Sequence, residues 1–593
     1  MSGRSRKDRF AGPLIILLAA TVALAPFSFR STSCGHDFDF HLVSWLDALH
    51  SWRQGILYPH WTPSANYRAG EPRFVFYPPL TWMLGALMGA VLPWRLVPGA
   101  MTILLLTAGG LATRALARPM LSDGPATLAG CVAIFSGYSL FTIYERSAFG
   151  EMTGAFWIPV MLLLVLREGQ DDSGDRASTW QRALDGSTLP LSLTIAGAWL
   201  SNAPVGVMAS YLLAAFAAVV AALAKSWVPV LRAVIGAVLG LGLAAFYLVP
   251  AAWEQRWVAI RQATDDPGLL IENSWLFARH AVAQLAEHDR ELTKVSLIAV
   301  FMVAVTLASL LVSWRRRSLP GPRHWWVPLA LVPIAILLLQ LPFSLPVWNA
   351  LPKLRFLQFP WRWLVALEAP MGLFLAAAVW PTTRWRRLTV LAVCGVFFLG
   401  ATAAAGLVFF QECDADDSVQ GRLEAYGAGE GFEGADEYAP PGADDSLIAT
   451  GLPAACLLSD PEKTLGEGDP DMTPFWSAAQ KSCDATFSFA PDPGSTTEHL
   501  RIRGISPHTG FLVLRLRAYP AWQVRVNGRA ATALPSRPDG LLAVPVPLGP
   551  IDLGIDWITT SDVRFGRWIS LIALVFAAAL GLAERRLSPP RLS

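Results

Sequence analysis

The fold is decided first by an uncharged run near the start of the chain, residues 11–29, AGPLIILLAATVALAPFSF. A bilayer core about 30 Å thick needs roughly 20 apolar residues in a helix, so this run is long enough to cross a membrane. Arg4, Arg6, Lys7 and Arg9 precede it. The run is long for a signal peptide and lacks a convincing small-residue cleavage site, so we predict a retained first transmembrane helix.

The rest of the chain repeats this pattern. Of its 593 residues, 53% are hydrophobic and 16% are charged, whereas soluble domains carry about a quarter charged residues. A charge at the centre of a spanning helix costs about 2.5–3.5 kcal/mol, so uncharged runs predict further spans. Runs that are uncharged, or that carry only one or two charged residues, occupy residues 96–113, 124–141, 150–166, 189–203, 205–224, 229–249, 293–313, 325–341, 361–380, 388–410 and 568–583. The sequence therefore predicts a mainly α polytopic membrane protein with about twelve transmembrane helices.

The basic residues predict an orientation. Cytoplasmic loops are enriched in Lys and Arg, so the basic start of the chain predicts a cytoplasmic N-terminus and an outer segment at residues 30–78. Strict alternation then places the remaining basic clusters and the C-terminus on the cytoplasmic side as well. These clusters are Arg114 with Arg118, residues 167–182, Lys225 with Arg232, residues 315–317 with Arg323, residues 384–387, and Arg585 with Arg586. This agreement requires that residues 79–93, a short run bounded by prolines, form an interfacial or re-entrant helix.

Alternation leaves two more segments outside, residues 250–292 and 411–567. The second is long enough for a domain of its own and separates the membrane domain, 1–410, from the last helix and tail, 568–593. Its first part, 411–445, is acidic and rich in Gly, which predicts irregular, solvated structure. Apolar and polar residues alternate at 522–526 and again at 551–557, and Asn527-Gly528 predicts a two-residue hairpin turn. We therefore predict a small extracytoplasmic β-sandwich over about 485–560.

The six cysteines divide by location. Cys131 and Cys394 fall inside predicted spans, and the other four fall outside: Cys34, Cys413, Cys456 and Cys483. An oxidising compartment would allow disulfides among these four, and sequence alone leaves three pairings open. A single bridge within the C-terminal domain, with Cys34 free, competes with two bridges.

The densest group of chemically competent residues follows the first span. His36, Asp37, Asp39 and His41 lie within six residues, where the helix leaves the membrane. Carboxylates and imidazoles at such a place can act as a general base, bind a substrate or coordinate a divalent cation. A merely hydrated loop is the alternative, and the spacing fits no strong metal signature.

Four other charged residues return to the same predicted face. Arg146 and Glu151 lie between two spans with only a short loop available, where a charge is costly unless it is paired or functional. They could bind substrate or simply pair with each other. Arg355 and Arg362 flank the entrance to another span. Either could bind a lipid phosphate through its guanidinium fork, and reaching toward lipid headgroups is the alternative.

Several short motifs, spread over nearly the whole chain, together resemble a bacterial family of YfhO-like membrane proteins, also called 6-pyruvoyl-tetrahydropterin-synthase-related membrane proteins. The motifs are Gly35-His36-Asp37 with His41, Phe74-Val75-Phe76-Tyr77-Pro78-Pro79-Leu80, Arg146-Ser147-Ala148 with Glu151, Ser201-Asn202-Ala203-Pro204, Phe359-Pro360-Trp361-Arg362 and Tyr519-Pro520-Ala521-Trp522 with Asn527-Gly528. The resemblance implies a bacterial inner membrane as location. The histidine that often follows the serine of Ser201-Asn202 in that family is absent here, and no pterin-synthase pattern or zinc-binding histidine triad is present.

That family is similar in layout to the GT-C class of membrane glycosyltransferases, which take a sugar from a polyprenyl-phosphate donor. In that class an acidic residue of the first outer loop is essential, as base or as part of a metal site. The resemblance assigns this role to Asp37 first and Asp39 second. Arg146, Glu151 and Arg362 would then contact the donor phosphate or a metal. A divalent cation such as Mg²⁺ or Mn²⁺, held by Asp37, Asp39 and Glu151, would be the implied cofactor.

The partners implied are the bilayer, the polyprenyl-phosphate sugar and an acceptor glycan, lipid or protein. The net charge of +2 gives no reason to expect a nucleic acid. A transporter or flippase of lipid-linked saccharides is the main alternative, and a non-catalytic envelope assembly protein is another. Transport paths place charges within the membrane, so charge-poor spans favour the enzyme.

Overall fold

The computed structural model describes residues 6–167, 187–318, 321–381, 383–448, 450–462 and 489–587. Within these residues eight helices are long and apolar enough to cross a membrane, or up to eleven spans if each of three bent helix pairs counts as one. The eight are Phe10–Arg30, Trp94–Ala117, Asp123–Arg146, Phe149–Leu166, Ala203–Ala224, Ala283–Arg315, Arg384–Val408 and Ser561–Glu584. The predicted polytopic α fold is confirmed.

Every predicted span falls on one of these helices, on a bent pair, or on the short helix Thr188–Ser201. The described residues give up to eleven spans rather than the predicted twelve, because Thr188–Ser201 has only 14 residues within the described chain and is not counted. Pro79–Val91 has 13 residues. At 1.5 Å per residue it extends about 20 Å, which is too short to cross a core of about 30 Å.

Three predicted spans are broken rather than straight. Val228–Leu243 and Ala245–Trp257 meet at 72°, and Arg323–Leu339 and Pro342–Ala350 meet at 98°. Pro360–Ala366, a 3₁₀ helix, meets Glu368–Val379 at 48°. Pro342 and Pro360 each begin the short half of their pair, as expected for a residue that fits the first helical turn but no helix interior.

Shorter helices lie in the segments between the candidate spans. The longest, Phe38–Arg53, follows the first span and has 16 residues. The others include Asn66–Arg68, Arg73–Phe76, Gln262–Asp265, Pro267–Leu269, Ile271–Asn273, Leu354–Leu357, Val419–Ala428, Asp436–Tyr438 and Asp445–Leu447. Val419–Ala428 corrects the prediction that residues 411–445 are irregular. The Ser418 hydroxyl caps this helix by accepting from the Gly421 N–H at 3.0 Å, and Gly429 ends it in the left-handed conformation.

The C-terminal domain is an antiparallel β-sandwich. Its described strands are β1 (Ala455–Leu458), β2 (Phe489–Pro491), β3 (His499–Ser506), β4 (Gly510–Arg517), β5 (Trp522–Val526), β6 (Arg529–Ala530), β7 (Leu541–Val546) and β8 (Gly549–Trp557). One sheet has the order β1-β4-β7 and the other β2-β3-β8-β5-β6. The Asn527-Gly528 turn joins β5 to β6 with φ angles of 50° and 80°, as a tight hairpin requires. Strand β1 lies outside the predicted boundaries.

The three segments predicted to lie outside the membrane contact one another. The Trp61 ring of the first packs against Trp522 of the sandwich at 5.1 Å. The Ala259 N–H of the second donates to the Ala439 carbonyl at 2.8 Å, and the Tyr519 hydroxyl donates to the Glu254 carboxylate. The segments that the alternation of spans predicts on one side of the membrane are therefore in contact.

A disulfide joins Cys34 to Cys413, so the expectation of a free Cys34 is wrong. The physical reason is that the chain leaving Arg384–Val408 runs beside the exit of the first span, where the Cys34 N–H donates to the Gln411 carbonyl at 3.0 Å. Cys456 is also disulfide-bonded, and Cys483 lies outside the described residues. Cys131 and Cys394 are free, as predicted for residues within spans.

Candidate functional site

Asp37 lies at the start of the helix Phe38–Arg53, docked against the turn that follows residue 145. Its backbone N–H donates to the Arg146 carbonyl at 2.9 Å. Gly35 allows this close approach, because a Cβ at that position would lie 2.4 Å from the Glu145 carbonyl oxygen. The first outer loop is thus held by backbone contacts that a larger residue at position 35 would prevent.

The turn itself is irregular. Residues Thr142–Arg146 form a π-helical turn, and Ser147 follows in the left-handed region with φ 49°. The Ser147 hydroxyl accepts from the Gly35 N–H at 3.2 Å and donates to the Ser33 carbonyl at 2.8 Å. π-helical turns and left-handed residues other than glycine recur at functional sites, because other contacts must compensate their cost.

This turn brings together four side chains that we call the Asp37 network: Asp37, Arg146, Glu151 and Tyr138. Arg146 Nη2 lies 3.1 Å from Asp37 Oδ2, and its Nη1 lies 2.6 Å from Glu151 Oε2. The Tyr138 hydroxyl donates to the other oxygen of Glu151. The Arg146 and Glu151 side chains are 6% and 5% exposed, whereas Asp37 is 40% exposed. Asp37 is therefore the accessible end of a buried network.

Arg362 lies beside this network without an anionic partner. It is within electrostatic range of Arg146, Glu151 and Asp37. Its Nε–H is buried and donates no hydrogen bond to the described residues, and its guanidinium lies 5.2 Å from the centre of the Phe359 ring. A guanidinium held in this way is suited to bind an anion such as phosphate.

His41 is buried and has a packing role. Its ring contacts Tyr77 and Phe149 edge-on, and its Nε2 accepts from the Gly150 N–H at 3.3 Å. Burial lowers the pKa of His41 to about 4, and the positive charge of Arg146 acts in the same direction. A neutral imidazole in this place fixes the backbone near Glu151 rather than binding an anion.

The structure separates the remaining predicted site residues from the network. His36 is exposed, with its Nδ1 3.9 Å from Glu291. Asp39 pairs with Arg422 of the helix Val419–Ala428 at 2.8 Å. Arg355 pairs with Glu272 at 2.8 Å.

Sequence reasoning missed three participants. The Tyr138 hydroxyl donates to Glu151, and the Arg146 guanidinium lies 5.2 Å from the centre of the Trp361 ring. Glu368 accepts a hydrogen bond from the Ser136 hydroxyl at 2.8 Å, within a bent span. Glu368 was visible as the only carboxylate in the apolar run 361–380, which is a signal of function. Aromatic residues carry no such signal, because membrane proteins use them widely at interfaces.

A cleft between spans reaches this network. It is lined mainly by apolar residues, among them Leu105, Leu106 and Met152, and it includes Tyr138, Glu151 and Glu368. This apolar cleft thus reaches Tyr138 and Glu151 at the buried end of the Asp37 network, whereas Asp37 is its exposed end.

The residues proposed for a divalent cation do not fit one as they are arranged. Arg146 pairs with both Asp37 and Glu151, so its positive charge already lies between the two carboxylates. Asp39 pairs with Arg422 instead. In the part of the chain that the structure describes, no three His, Cys, Asp or Glu residues form a group that could hold a metal ion.

A family model of membrane proteins, the 6-pyruvoyl-tetrahydropterin synthase related domain, matches residues 74–409. The chain belongs to this family. Arg146, Glu151 and Arg362 lie within the matched domain, whereas Asp37 and the β-sandwich lie outside it. Family membership confirms the resemblance to the 6-pyruvoyl-tetrahydropterin-synthase-related membrane proteins. No curated protein matches the chain.

Among solved structures, the chain is similar to the Archaeoglobus fulgidus oligosaccharyltransferase in its apo form, at 13% identity and a TM-score of 0.41. The alignment covers 74% of this chain and 62% of that one. A second similar structure is the archaeal oligosaccharyltransferase AglB from the same organism, in complex with an inhibitory peptide and a dolichol-phosphate. It is 13% identical with a TM-score of 0.41, and the alignment covers 74% of this chain and 61% of that one.

Proposed function

We propose that this member of the family is a GT-C-type glycosyltransferase that moves a sugar from a polyprenyl-phosphate donor to an acceptor hydroxyl on a cell-envelope glycan, lipid or protein. One observation carries the proposal. Asp37, the accessible carboxylate of a buried network, lies near Arg362, a guanidinium with no anionic partner among the described residues. A base beside a phosphate-binding cation is what transfer to a hydroxyl requires.

The reaction divides between these two residues. The acceptor oxygen attacks the anomeric carbon of the donor sugar, and the Asp37 carboxylate takes the hydroxyl proton. The bond from the anomeric carbon to the phosphate oxygen breaks, and its electron pair leaves with polyprenyl phosphate. Arg362 stabilises the negative charge that develops on that phosphate. The products are the glycosylated acceptor and polyprenyl phosphate.

Arg146, Glu151 and Tyr138 position the base. Arg146 contacts only Oδ2 of Asp37, which leaves Oδ1 for the acceptor. Glu151 and Tyr138 fix the guanidinium in turn. The apolar cleft beside them suits the polyprenyl chain of the donor.

We also propose a bacterial inner-membrane location, with both termini cytoplasmic and with Asp37 and the sandwich outside. The basic clusters support this orientation through the positive-inside rule. The Cys34–Cys413 disulfide supports it too, because such bonds persist in oxidising compartments.

A deletion strain complemented with variants tests the proposal. We expect Asp37→Asn to abolish one envelope glycan modification and to cause its polyprenyl-phosphate sugar to accumulate, as measured by mass spectrometry. Asp552→Asn is the matched control, because that carboxylate is 61% exposed on the sandwich. Full modification by an inserted, folded Asp37→Asn protein would exclude Asp37 as the base.

One observation favours transport of a lipid-linked saccharide as a second candidate function. Glu368 and Glu151 both line the cleft between spans, and carboxylates within a membrane often mark transport paths. Purified protein in detergent separates the two functions, because transfer needs no sealed compartment. Formation of glycosylated acceptor in micelles supports the enzyme. Movement of the lipid in sealed vesicles, with no product in micelles, supports the transporter.

A further inference from the structure

A second cavity, outside the membrane domain, lies between the first outer segment and the C-terminal domain. It has a volume of about 340 Å³, is open to solvent, and is lined by residues of the helix Phe38–Arg53, of residues 63–68, of residues 426–432 and of the sandwich. Asp47 lies on the helix that begins after Asp37, ten residues further on, or about 15 Å along its axis. The cavity is thus separate from the Asp37 network.

Two arginines line this cavity without a carboxylate partner. Arg68 donates to the Gly429 carbonyl at 3.2 Å, and Arg515 donates to the Leu452 carbonyl at 3.0 Å. Neither forms an ion pair with the described residues. Burial, and then the positive charge of Arg68, lower the pKa of Arg515 to about 10. Two like charges held close together and not neutralised favour the binding of an anion.

The backbone that carries Arg68 is held in an uncommon conformation. Asn66, Tyr67 and Arg68 have φ angles of 49°, 50° and 74°, three successive left-handed residues other than glycine. The Tyr67 N–H donates to the Phe432 carbonyl at 2.9 Å, and the Phe432 N–H donates to the Ser64 carbonyl at 2.9 Å. Such a conformation persists only where the surroundings fix it, and it concentrates at binding sites.

Other groups in the cavity are suited to hydroxyl groups. The Tyr426 hydroxyl donates to Asp47 Oδ1 at 3.0 Å, and the Ser64 hydroxyl donates to Asp47 Oδ2 at 2.6 Å. Burial raises the pKa of Asp47 to about 6, and these bonds oppose that rise. The Tyr426 ring stacks on Phe432 beside them. The cavity therefore combines a cationic pair with hydroxyl partners and aromatic surface.

From this combination we infer a binding site for an anionic saccharide, with its carboxylate or phosphate between Arg68 and Arg515 and its hydroxyl groups near Ser64 and Tyr426. The site goes beyond the proposed transfer reaction and does not depend on it. Binding can be measured without turnover.

The test uses the full chain in phosphatidylcholine nanodiscs, whose headgroups carry no net charge, and isothermal titration with tri-galacturonate, a carboxylated trisaccharide. We expect saturable binding that Arg68→Gln and Arg515→Gln each weaken about tenfold, the loss expected for one charged hydrogen bond. Arg525→Gln, at an exposed position outside this cavity, is the matched control and should bind like the unchanged protein.

Three outcomes would overturn the inference: no saturable binding, binding that neither arginine variant weakens, or equally tight binding of uncharged maltotriose. Inorganic phosphate that binds as tightly as the trisaccharide would show a simple anion site and would also overturn it. The exposed position of Arg68 keeps the test valid if Arg515→Gln fails to fold. Thermal unfolding of each variant identifies that case.

Discussion

At the scale of single residues, Arg146 and Arg362 are the most informative pair, because among the described residues one has two carboxylate partners and the other has none. Arg146→Gln leaves Glu151 buried without a cation, so we expect a loss of about 3–5 kcal/mol in the free energy of unfolding. Arg362→Gln removes no ion pair among the described residues and should change stability little while abolishing transfer. Denaturant unfolding in micelles and a transfer assay measure the two effects. Equal destabilisation by both changes would contradict this division of roles.

His41 gives a prediction on pH. Its pKa is about 4 in the folded protein, below the unfolded value of about 6.5. The unfolded chain therefore binds a proton first as pH falls, and the stability associated with neutral His41 is complete above pH 6.5 and lost between 6.5 and 4. The nearby Asp37 raises the pKa of His41 and so reduces this loss, whereas the positive charges of Arg73 and Arg146 lower the pKa and increase it. Burial raises the pKa of Asp47 to about 6, so protonation of Asp47 adds stability as pH falls. All variants compared keep Asp47, so this contribution is the same in each.

We expect His41→Gln to reduce the slope of unfolding free energy against pH by up to about 1.4 kcal/mol per pH unit between pH 6.5 and 5. Denaturant titrations at several pH values measure it. The unchanged protein, titrated alongside, is the reference. A slope unaffected by His41→Gln would mean that the imidazole is protonated in the folded state.

The sequence predicted the neighbourhood of the site better than its members. The dense group 36–41 and the charges at 146, 151 and 362 were visible because they interrupt apolar runs. Asp37 and Asp39 were predicted to share a site, yet successive helical residues differ by about 100°, so side chains two apart point in nearly opposite directions. Which of them faces Arg146 depends on the docking of Gly35 on the turn at Glu145, a contact over more than a hundred residues.

At the scale of elements, the length of the apolar runs predicted the spans and Asn527-Gly528 predicted the hairpin, but nothing in the sequence predicted the bends. Both features depend on neighbouring residues alone: hydropathy shows how long an apolar run is, and the Asn527-Gly528 dipeptide favours a tight turn by itself. The bend before Glu368 and the π-helical turn at Thr142–Arg146 depend on packing between helices, which no window of sequence contains. The pairing of Cys34 with Cys413 is of the same kind.

That disulfide joins two elements that are 379 residues apart in sequence. Removal of a native disulfide typically costs about 2–5 kcal/mol, so we expect Cys34→Ser with Cys413→Ser to lower the midpoint of thermal unfolding. Cys131→Ser with Cys394→Ser is the control, because those thiols are free. Both proteins keep the disulfide of Cys456, so reductant acts on that bond in both. Reductant should therefore lower the midpoint of the control protein more than that of the Cys34 and Cys413 variant. Unchanged unfolding of the double variant would show that other contacts alone hold these elements together.

At the scale of the whole molecule, the three segments that we predict outside the membrane contact one another. Tyr519 of the sandwich contacts Glu254, and Trp61 contacts Trp522. The positive-inside rule predicted this grouping from charge alone, because each basic cluster fixes the side of its loop. How the segments pack could not be predicted, since aromatic contacts between them follow no periodic pattern.

The orientation itself can be measured by cysteine labelling in a Cys131→Ser and Cys394→Ser background. Asp265 and Glu430 are exposed in segments that we place outside, and Arg386 is exposed in a basic cluster that we place inside. We expect a membrane-impermeant maleimide to label Asp265→Cys and Glu430→Cys in intact spheroplasts. Arg386→Cys should react only after permeabilisation. Because Asp265 and Glu430 belong to segments in mutual contact, labelling of one without the other would contradict the shared side, and early labelling of Arg386→Cys would reverse the orientation.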